Sequence, residues 1–305
     1  MVKILICDPI HEEGVRMLEK AGFDVDEKPD ISHEELGKII GEYDGIIVRS
    51  ATKVNSEILE NPGKLKAIAR AGVGLDNIDL DMAKEKDIKV FNSPEAPCNA
   101  VAELVIGFII ALARNITQAD SSMKEGKWEK RKLTGIEIAG KKLGIVGFGR
   151  IGYNLGSKAK ALGMEVLAYD VAMDKLRHFV EEIGAEEVDL ETLISSSDFI
   201  SVHVPLLPQT KHMISSEEFN SMREGVYIIN AARGGVIDEK ALKEALVSGK
   251  VAGAALDVFE QEPDPDPELV KYPNLIASPH IGAGTEEAQI ANSTIVADKL
   301  IDFLK

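Results

Sequence analysis

Gly147-Phe148-Gly149-Arg150-Ile151-Gly152, near the middle of the 305-residue chain, decides the fold. It follows the apolar run Leu143–Gly147 and opens the segment Arg150–Leu162, whose pattern predicts a helix. Eighteen residues after Gly152, the β-rich run Glu165-Val-Leu-Ala-Tyr ends in Asp170. Glycines at this spacing are weak evidence alone. A strand, the glycines, a helix and a second strand ending in an acid together predict a dinucleotide-binding unit. Gly147, Gly149 and Gly152 between them allow a tight turn, close approach of backbone to pyrophosphate, and close helix–sheet packing. The helix N-terminus then stabilises the phosphate charge.

This unit starts about 140 residues in, so something else fills the first third of the chain. There, short β-rich runs at Val2–Cys7, Gly45–Arg49, Lys66–Arg70 and Lys89–Asn92 alternate with helical segments at His11–Ala21, His33–Gly41, Ser56–Glu60 and Ile78–Lys86. The alternation predicts a small parallel sheet with helices on both faces. Ser93-Pro94-Glu95-Ala96-Pro97 breaks the pattern and reads as a domain boundary. From Lys142 a second series offers six strands: Leu143–Gly147, Val166–Asp170, Phe199–His203, Val226–Asn230, Val251–Asp257 and Leu275–Ser278. The closing helix Glu286–Leu304 has no further strand to feed and is expected to return to the first domain. The expected fold class is therefore α/β: two doubly wound parallel-sheet domains, 97–284 inserted into a smaller domain formed by 1–96 and 285–305.

A formal charge of −16 argues against non-specific binding to nucleic acid or an anionic membrane. It also requires that any site for an anionic ligand gather its cations locally. Two cysteines, Cys7 and Cys98, make no disulfide framework, and the N-terminus enters a strand without a signal-peptide pattern. A cytoplasmic location is expected. The apolar stretch Val101–Ala113 carries Glu103 and is shorter than the ~20 residues of a membrane span. It reads as a buried helix, apolar on all faces because another domain or subunit covers it.

In open α/β sheets, ligands bind beyond the carboxyl ends of the strands. Four reactive side chains sit just after predicted strands: His203, Arg233 in a turn completed by Gly234-Gly235, Glu262 before Pro263, and His280 after Pro279. Taken singly, such residues are more often a surface arginine, a solvated loop acid or a packing histidine. On one edge, beside the glycine turn, they form a constellation suited to hydride transfer on a 2-hydroxy acid. An arginine can hold the carboxylate bidentately and never loses its charge. A histidine, with an ordinary pKa near 6.5, can exchange the hydroxyl proton. A carboxylate on its other ring nitrogen would orient the ring and favour the protonated form. His11, His33, His178 and His212 show no ligand spacing, so no metal site is expected.

Across essentially its whole length the sequence resembles the D-isomer-specific 2-hydroxyacid dehydrogenases. The resemblance is carried by Val48-Arg-Ser-Ala-Thr, Arg70-Ala-Gly-Val-Gly-Leu-Asp-Asn-Ile-Asp, Asn99-Ala-Val-Ala-Glu, Gly126-Lys-Trp, Gly147–Gly152, Asn230-Ala-Ala-Arg-Gly-Gly, Phe259-Glu-Gln-Glu-Pro and Ser278-Pro-His-Ile-Gly. It implies a Rossmann NAD domain within a flavodoxin-like substrate domain, and catalytic roles for Arg233, Glu262 and His280. It implies that Arg150 and Ile151 present backbone to the pyrophosphate and that Asp170 holds the adenine ribose. Val73, Asn99, His203, Val204, Pro205, Ala231, Asp257 and Gly282 would line the cofactor pocket, with Arg233 and His280. Arg49, Ser50 and the Val73-Gly74 backbone would meet substrate. The apolar helix near 99–115 resembles the family's dimer helix, so a homodimer is implied, with Lys130 or Arg131 reaching into the partner.

Asp170 accepts ribose hydroxyls but repels a 2′-phosphate, and Val171-Ala172-Met173-Asp174 adds no arginine, so NAD is expected over NADP. Within the family the motifs most resemble those of enzymes oxidising D-3-phosphoglycerate, the first step of serine biosynthesis. Arg49 is the candidate for the phosphate. A glyoxylate or hydroxypyruvate reductase is the alternative, and an NAD(H)-sensing binding protein without turnover is the reading from a different class. A chain ending at Lys305 also leads us to expect no C-terminal regulatory domain, and hence no serine inhibition of that kind.

Overall fold

The computed structural model describes residues 1–305. Its strands are β1 (Lys3–Ile6), β2 (Asp24–Glu27), β3 (Gly45–Val48), β4 (Ala67–Arg70), β5 (Lys89–Asn92), β6 (Lys142–Val146), β7 (Glu165–Tyr169), β8 (Glu186–Glu187), β9 (Phe199–Val202), β10 (Val226–Asn230), β11 (Val251–Leu256) and β12 (Leu275–Ala277). The chain divides into two compact units, Met1–Cys98 with Ala283–Lys305, and Asn99–Gly282.

The first unit holds a five-stranded sheet in the order β2-β1-β3-β4-β5, every pair parallel. Ile4, Leu5 and Ile6 of β1 and Ile46, Ile47 and Val48 of β3 are all buried. Such unbroken apolar runs are expected when helices cover both faces of a parallel sheet. One face packs Leu5, Ile46, Val48 and Ile68 against Leu36 and Ile40. The other packs Ile4, Ile6, Ile47 and Ala67 against Leu18 and against Val296, Ala297 and Leu300 of the last helix, Glu286–Leu304. That helix also lies close on the helix Glu12–Lys20, where a Cβ on Gly14 would come within 2.8 Å of the Ser293 carbonyl.

The second unit holds a seven-stranded, all-parallel sheet in the order β12-β11-β10-β9-β6-β7-β8. The strand order reverses between β6 and β9 here and between β1 and β3 in the first unit, and these are the switch points where doubly wound sheets bind ligands. The helix Cys98–Ala113 lays Val101, Ala102, Val105, Phe108, Ile109 and Leu112 on this sheet. Leu104 and Ile106 flank the same core, and with Ile110 they are only half-buried. No single helix is long and apolar enough to cross a membrane.

Two strands correct the sequence reading. β2, Asp-Val-Asp-Glu, has no buried residue, and β8 consists of two exposed glutamates. Both are outermost strands at their sheet edges. An edge strand turned to solvent needs no apolar run, so its sequence carries no strand signal.

Candidate active site

The glycine turn leaves β6 at Gly147, whose φ is 95° and whose Cβ, if present, would stand 2.6 Å from the His203 carbonyl oxygen. A side chain fits neither the backbone nor the space. Phe148 is fully buried in the core and anchors the turn from below. Gly152 packs so closely that a Cβ would meet the Gly147 carbonyl at 2.5 Å. Gly149 differs: it is the N-cap of the helix Arg150–Ala161, no side chain caps that helix, and a Cβ there would enter open space. The first turn of this twelve-residue helix carries no acid and no side-chain cap, so its positive end is not offset by a carboxylate. A pyrophosphate fits such a cradle.

Asp170 follows β7. Its Oδ2 accepts the Phe148 N–H at 2.9 Å and its Oδ1 the Ala172 N–H at 2.8 Å. Each oxygen keeps a lone pair for a ribose hydroxyl. Across the switch point, the His203 N–H donates to the Val146 carbonyl at 2.7 Å. His203 Nε2 is paired with Ser201 Oγ at 2.8 Å, while Nδ1 is buried without a partner. Burial pushes the imidazole pKa down to about 4. The ring is neutral at working pH and supplies no charge to a phosphate. Val204 is half-buried beside it, and the Pro205 carbonyl accepts from Thr210 Oγ1 at 2.6 Å.

β10 ends in the buried Asn230, which clamps the turn that follows. Its Oδ1 accepts the Ala232 N–H at 3.0 Å and its Nδ2 donates to the Arg233 carbonyl at 2.9 Å. Ala231 is buried, Arg233 is half-buried, and an Arg233 guanidinium N–H donates back to the Ala232 carbonyl. β11 leads to Asp257, fully buried, which holds the next loop. One carboxylate oxygen accepts Ser278 Oγ and the Ile281 N–H, the other accepts the Gly282 N–H at 2.7 Å, and the Asp257 carbonyl accepts the His280 N–H at 2.8 Å. Space at Gly282 is tight, since a Cβ would sit 3.1 Å from Asp257 Oδ2 and 3.3 Å from Val101. These bonds hold His280 at φ 54°, a left-handed conformation that costs a non-glycine residue on the order of 1–3 kcal/mol unless its surroundings fix it. His280 Nδ1 lies 2.8 Å from Glu262 Oε2, and Glu262 Oε1 accepts the Phe259 N–H at 3.0 Å. Both carboxylate oxygens of Glu262 are thus engaged, and the imidazole Nε2 is the nitrogen left for a ligand.

Asn99 is exposed, with its amide donating to Glu103 Oε1 at 2.7 Å. The remaining predicted residues belong to the first unit. Arg49 and Ser50 follow β3. Asp8, buried after β1, accepts the N–H groups of Arg49 and Thr52 and the Thr52 hydroxyl, while Asn77 donates to the carbonyls of Arg49 and Thr52. Arg70 ends β4 in register with Val48, and its guanidinium donates to Ser50 Oγ at 3.2 Å. The Val73 carbonyl accepts from Asn92 Nδ2 at 2.6 Å, and Val73 and Gly74 are half-buried.

The sequence reading gave no site role to Asp8, Asn77, Arg70 and Asn230, although the last three stand in the motifs that carry the resemblance. Each holds or extends a loop that carries a predicted residue. For Asp8 and Asn230 the available signal was positional: a polar residue at the end of an apolar strand must find backbone partners if it is buried.

The profile of the D-isomer specific 2-hydroxyacid dehydrogenase NAD binding domain matches residues 106–282. The hydroxypyruvate reductase of Thermotoga maritima is 49% identical over 94% of this chain and 93% of its own length. The chain belongs to the D-isomer specific 2-hydroxyacid dehydrogenases. Residues 106–282 are accordingly the NAD binding domain of a 2-hydroxyacid dehydrogenase, and NAD is the cofactor. The D-3-phosphoglycerate dehydrogenase of Methanocaldococcus jannaschii is 48% identical over all of this chain, which spans 58% of that protein's length. Among solved structures, the D-lactate dehydrogenase of Aquifex aeolicus, complexed with NAD and lactic acid, superposes with a TM-score of 0.87 at 30% identity, covering 99% of this chain and 95% of that one.

Proposed function

We propose that this dehydrogenase oxidises D-3-phosphoglycerate to 3-phosphohydroxypyruvate with reduction of NAD. The observation that carries the acid–base reading is the 2.8 Å contact between His280 Nδ1 and Glu262 Oε2, on the strand-end edge that also bears Arg233. NAD, held by Gly147–Gly152 and Asp170, supplies the hydride acceptor when bound. Arg233 anchors the substrate carboxylate through its planar fork. His280 Nε2 takes the proton of the C2 hydroxyl as the hydride leaves C2, and returns it in the reverse direction. Glu262 orients the ring and stabilises the imidazolium that forms.

The phosphate requires its own cations. Arg49 and Arg70, on adjacent strand ends with Ser50 hydrogen-bonded to Arg70, support a phosphate-binding role on the first unit. The high identity to a phosphoglycerate dehydrogenase favours the same substrate. The equally high identity to a hydroxypyruvate reductase keeps that activity as the second reading. A homodimer is supported by the half-buried Leu104, Ile106 and Ile110, and by the exposed Ile116, Met123, Trp128 and Ile136 that follow them. Lys130 and Arg131 would then be offered to the partner. Two free, buried cysteines suit a cytoplasmic setting.

The test is NADH oxidation measured across phosphohydroxypyruvate, hydroxypyruvate, glyoxylate and pyruvate, in wild type and Arg49→Ala. Phosphohydroxypyruvate is expected to give the highest kcat/KM. The variant should raise KM for it by about tenfold or more, the scale of one charge-assisted hydrogen bond, and leave glyoxylate nearly unchanged. Equal effects on both substrates would assign the site to a simpler acid.

A further inference from the structure

The loops that carry Arg233 and Glu262 are joined by contacts that neither residue makes. A Cβ on Gly234 would fall 1.7 Å from the Phe259 carbonyl oxygen, so the backbone after Arg233 lies directly on the backbone before Glu262. A few residues along, the two loops exchange hydrogen bonds. The N–H of Glu239, first residue of the helix Glu239–Ser248, donates to Glu260 Oε1 at 3.1 Å, and the N–H of Glu260 donates to Glu239 Oε1 at 2.7 Å. His212 Nε2 lies 3.1 Å from the same Glu260 oxygen, and the His212 N–H donates to the Gly235 carbonyl at 2.7 Å. Three loops are therefore tied at one point, two residues from Glu262.

The arrangement is costly in charge, which argues that it does something the fold alone does not need. Asp238 already caps the helix, its side chain accepting the N–H groups of Lys240 and Ala241, so Glu239 is not required as a cap. Burial pushes the Glu239 carboxyl above the usual carboxylate range, and the charges of Glu260 and Asp266 push it further, against the opposing N–H of Glu260 and the Lys243 ammonium. Two facing carboxylates that each accept a backbone N–H give a geometry that a single bond would leave free to pivot.

We propose that Glu239 and Glu260 form a reciprocal clamp that holds the Glu262 loop against the Arg233 turn and so keeps the Glu262–His280 pair in register. Glu239 and Glu260 are positioning residues and touch no reacting atom. The clamp rests on the acid–base reading of the Glu262–His280 pair given above. Freed of it, Glu262 moves relative to His280 while the glycine turn, on the far side of β9 and β10, stays in place.

The experiment compares Glu239→Ala, Glu260→Ala, Glu239→Gln and Glu260→Gln with Glu262→Gln as reference. It measures kcat and KM, NADH affinity by fluorescence, and the pH profile of phosphohydroxypyruvate reduction. The alanine variants should lower kcat between about tenfold and 10²-fold, the scale of a misplacement approaching ~1 Å, with NADH affinity unchanged. Their alkaline limb should move to lower pH, in the direction of Glu262→Gln, because reduction needs the imidazolium that Glu262 stabilises. The glutamine variants keep an oxygen acceptor and should recover most of the rate. An alkaline limb that stays at its wild-type position in the alanine variants, while Glu262→Gln moves it, would overturn the clamp alone. A limb unmoved by Glu262→Gln would overturn the acid–base reading and the clamp with it.

Discussion

The two sheets of this protein share a topology and differ at their switch points. In the five-stranded sheet, β1 runs into the buried Asp8 and the neighbouring β3 into Arg49. In the seven-stranded sheet, β6 runs into Gly147 and the neighbouring β9 into the neutral His203. The helices that follow differ in the same sense. Glu12–Lys20 has two acids in its first turn, and the side chain of His11 already accepts the Glu13 N–H. Arg150–Ala161 has no acid there and no side-chain cap. Parallel topology places a binding edge in both units, but the chemistry of the first helical turn decides what each edge accepts. An anion meets a first turn without an acid or a side-chain cap at one helix and two carboxylates at the other. The five-stranded sheet offers its cations instead on side chains, Arg49 and Arg70.

The largest effect is expected where the seven-stranded edge is proposed to do chemistry rather than binding. His280→Ala should lower kcat by about 10²–10⁴, the usual worth of a general acid–base group, with NADH affinity retained. Steady-state kinetics with a parallel NADH fluorescence titration separates the two. A fall in NADH affinity with kcat intact would move His280 from the catalytic to the binding half of that edge.

The next effect tests the helix N-terminus directly. Gly149 has an ordinary φ of −67° and open space at its Cβ, so Gly149→Asp should fold without strain. The new carboxylate would cap the helix, a change that contributes only about a few tenths of a kcal/mol over glycine by itself. It would also occupy the N–H groups that a pyrophosphate needs, giving this helix the anion-excluding character of Glu12–Lys20. NADH binding should weaken at least tenfold while Tm holds or rises. Unchanged NADH affinity would show that the contrast between the two first turns does not govern binding.

How much of this was legible before the structure follows from what a sequence pattern reports. A buried parallel strand such as Gly45–Val48 is an unbroken apolar run, and Phe199–Val202 is interrupted only by Ser201, so those could be read. The edge strands Asp24–Glu27 and Glu186–Glu187 are polar because solvent takes one side of them, and those could not. The same division holds at the site. Residues whose type announces a chemistry, Arg233, Glu262 and His280, stood out once they fell at strand ends. Residues whose work is to hold a loop did not, because an aspartate such as Asp8 or an asparagine such as Asn230 looks like any turn residue until its backbone partners are known. Their partners lie at the ends of other strands or within the following turn, and three-dimensional register alone reveals them.

The smallest expected effect concerns stability at the switch point itself. His203 occupies the strand end that corresponds to Arg49, and the two differ in charge at working pH. With its folded pKa pushed down to about 4, His203 resists protonation when folded and accepts it when unfolded, near the ordinary ~6.5. Above that range both states are neutral and the residue leaves stability independent of pH. As pH falls from about 6.5 toward 4, the unfolded chain binds a proton that the folded chain does not, so stability declines with acidification and the decline ends below about 4. His203→Gln removes that contribution without adding a charge. The variant should lose less Tm than wild type between pH 7 and pH 4, while carboxylate titrations common to both proteins cancel in the difference. Parallel Tm curves would mean that His203 takes a proton as readily folded as unfolded. The seven-stranded switch point would then gain a charge as soon as pH falls below about 6.5, where Arg49 in the other sheet is charged throughout.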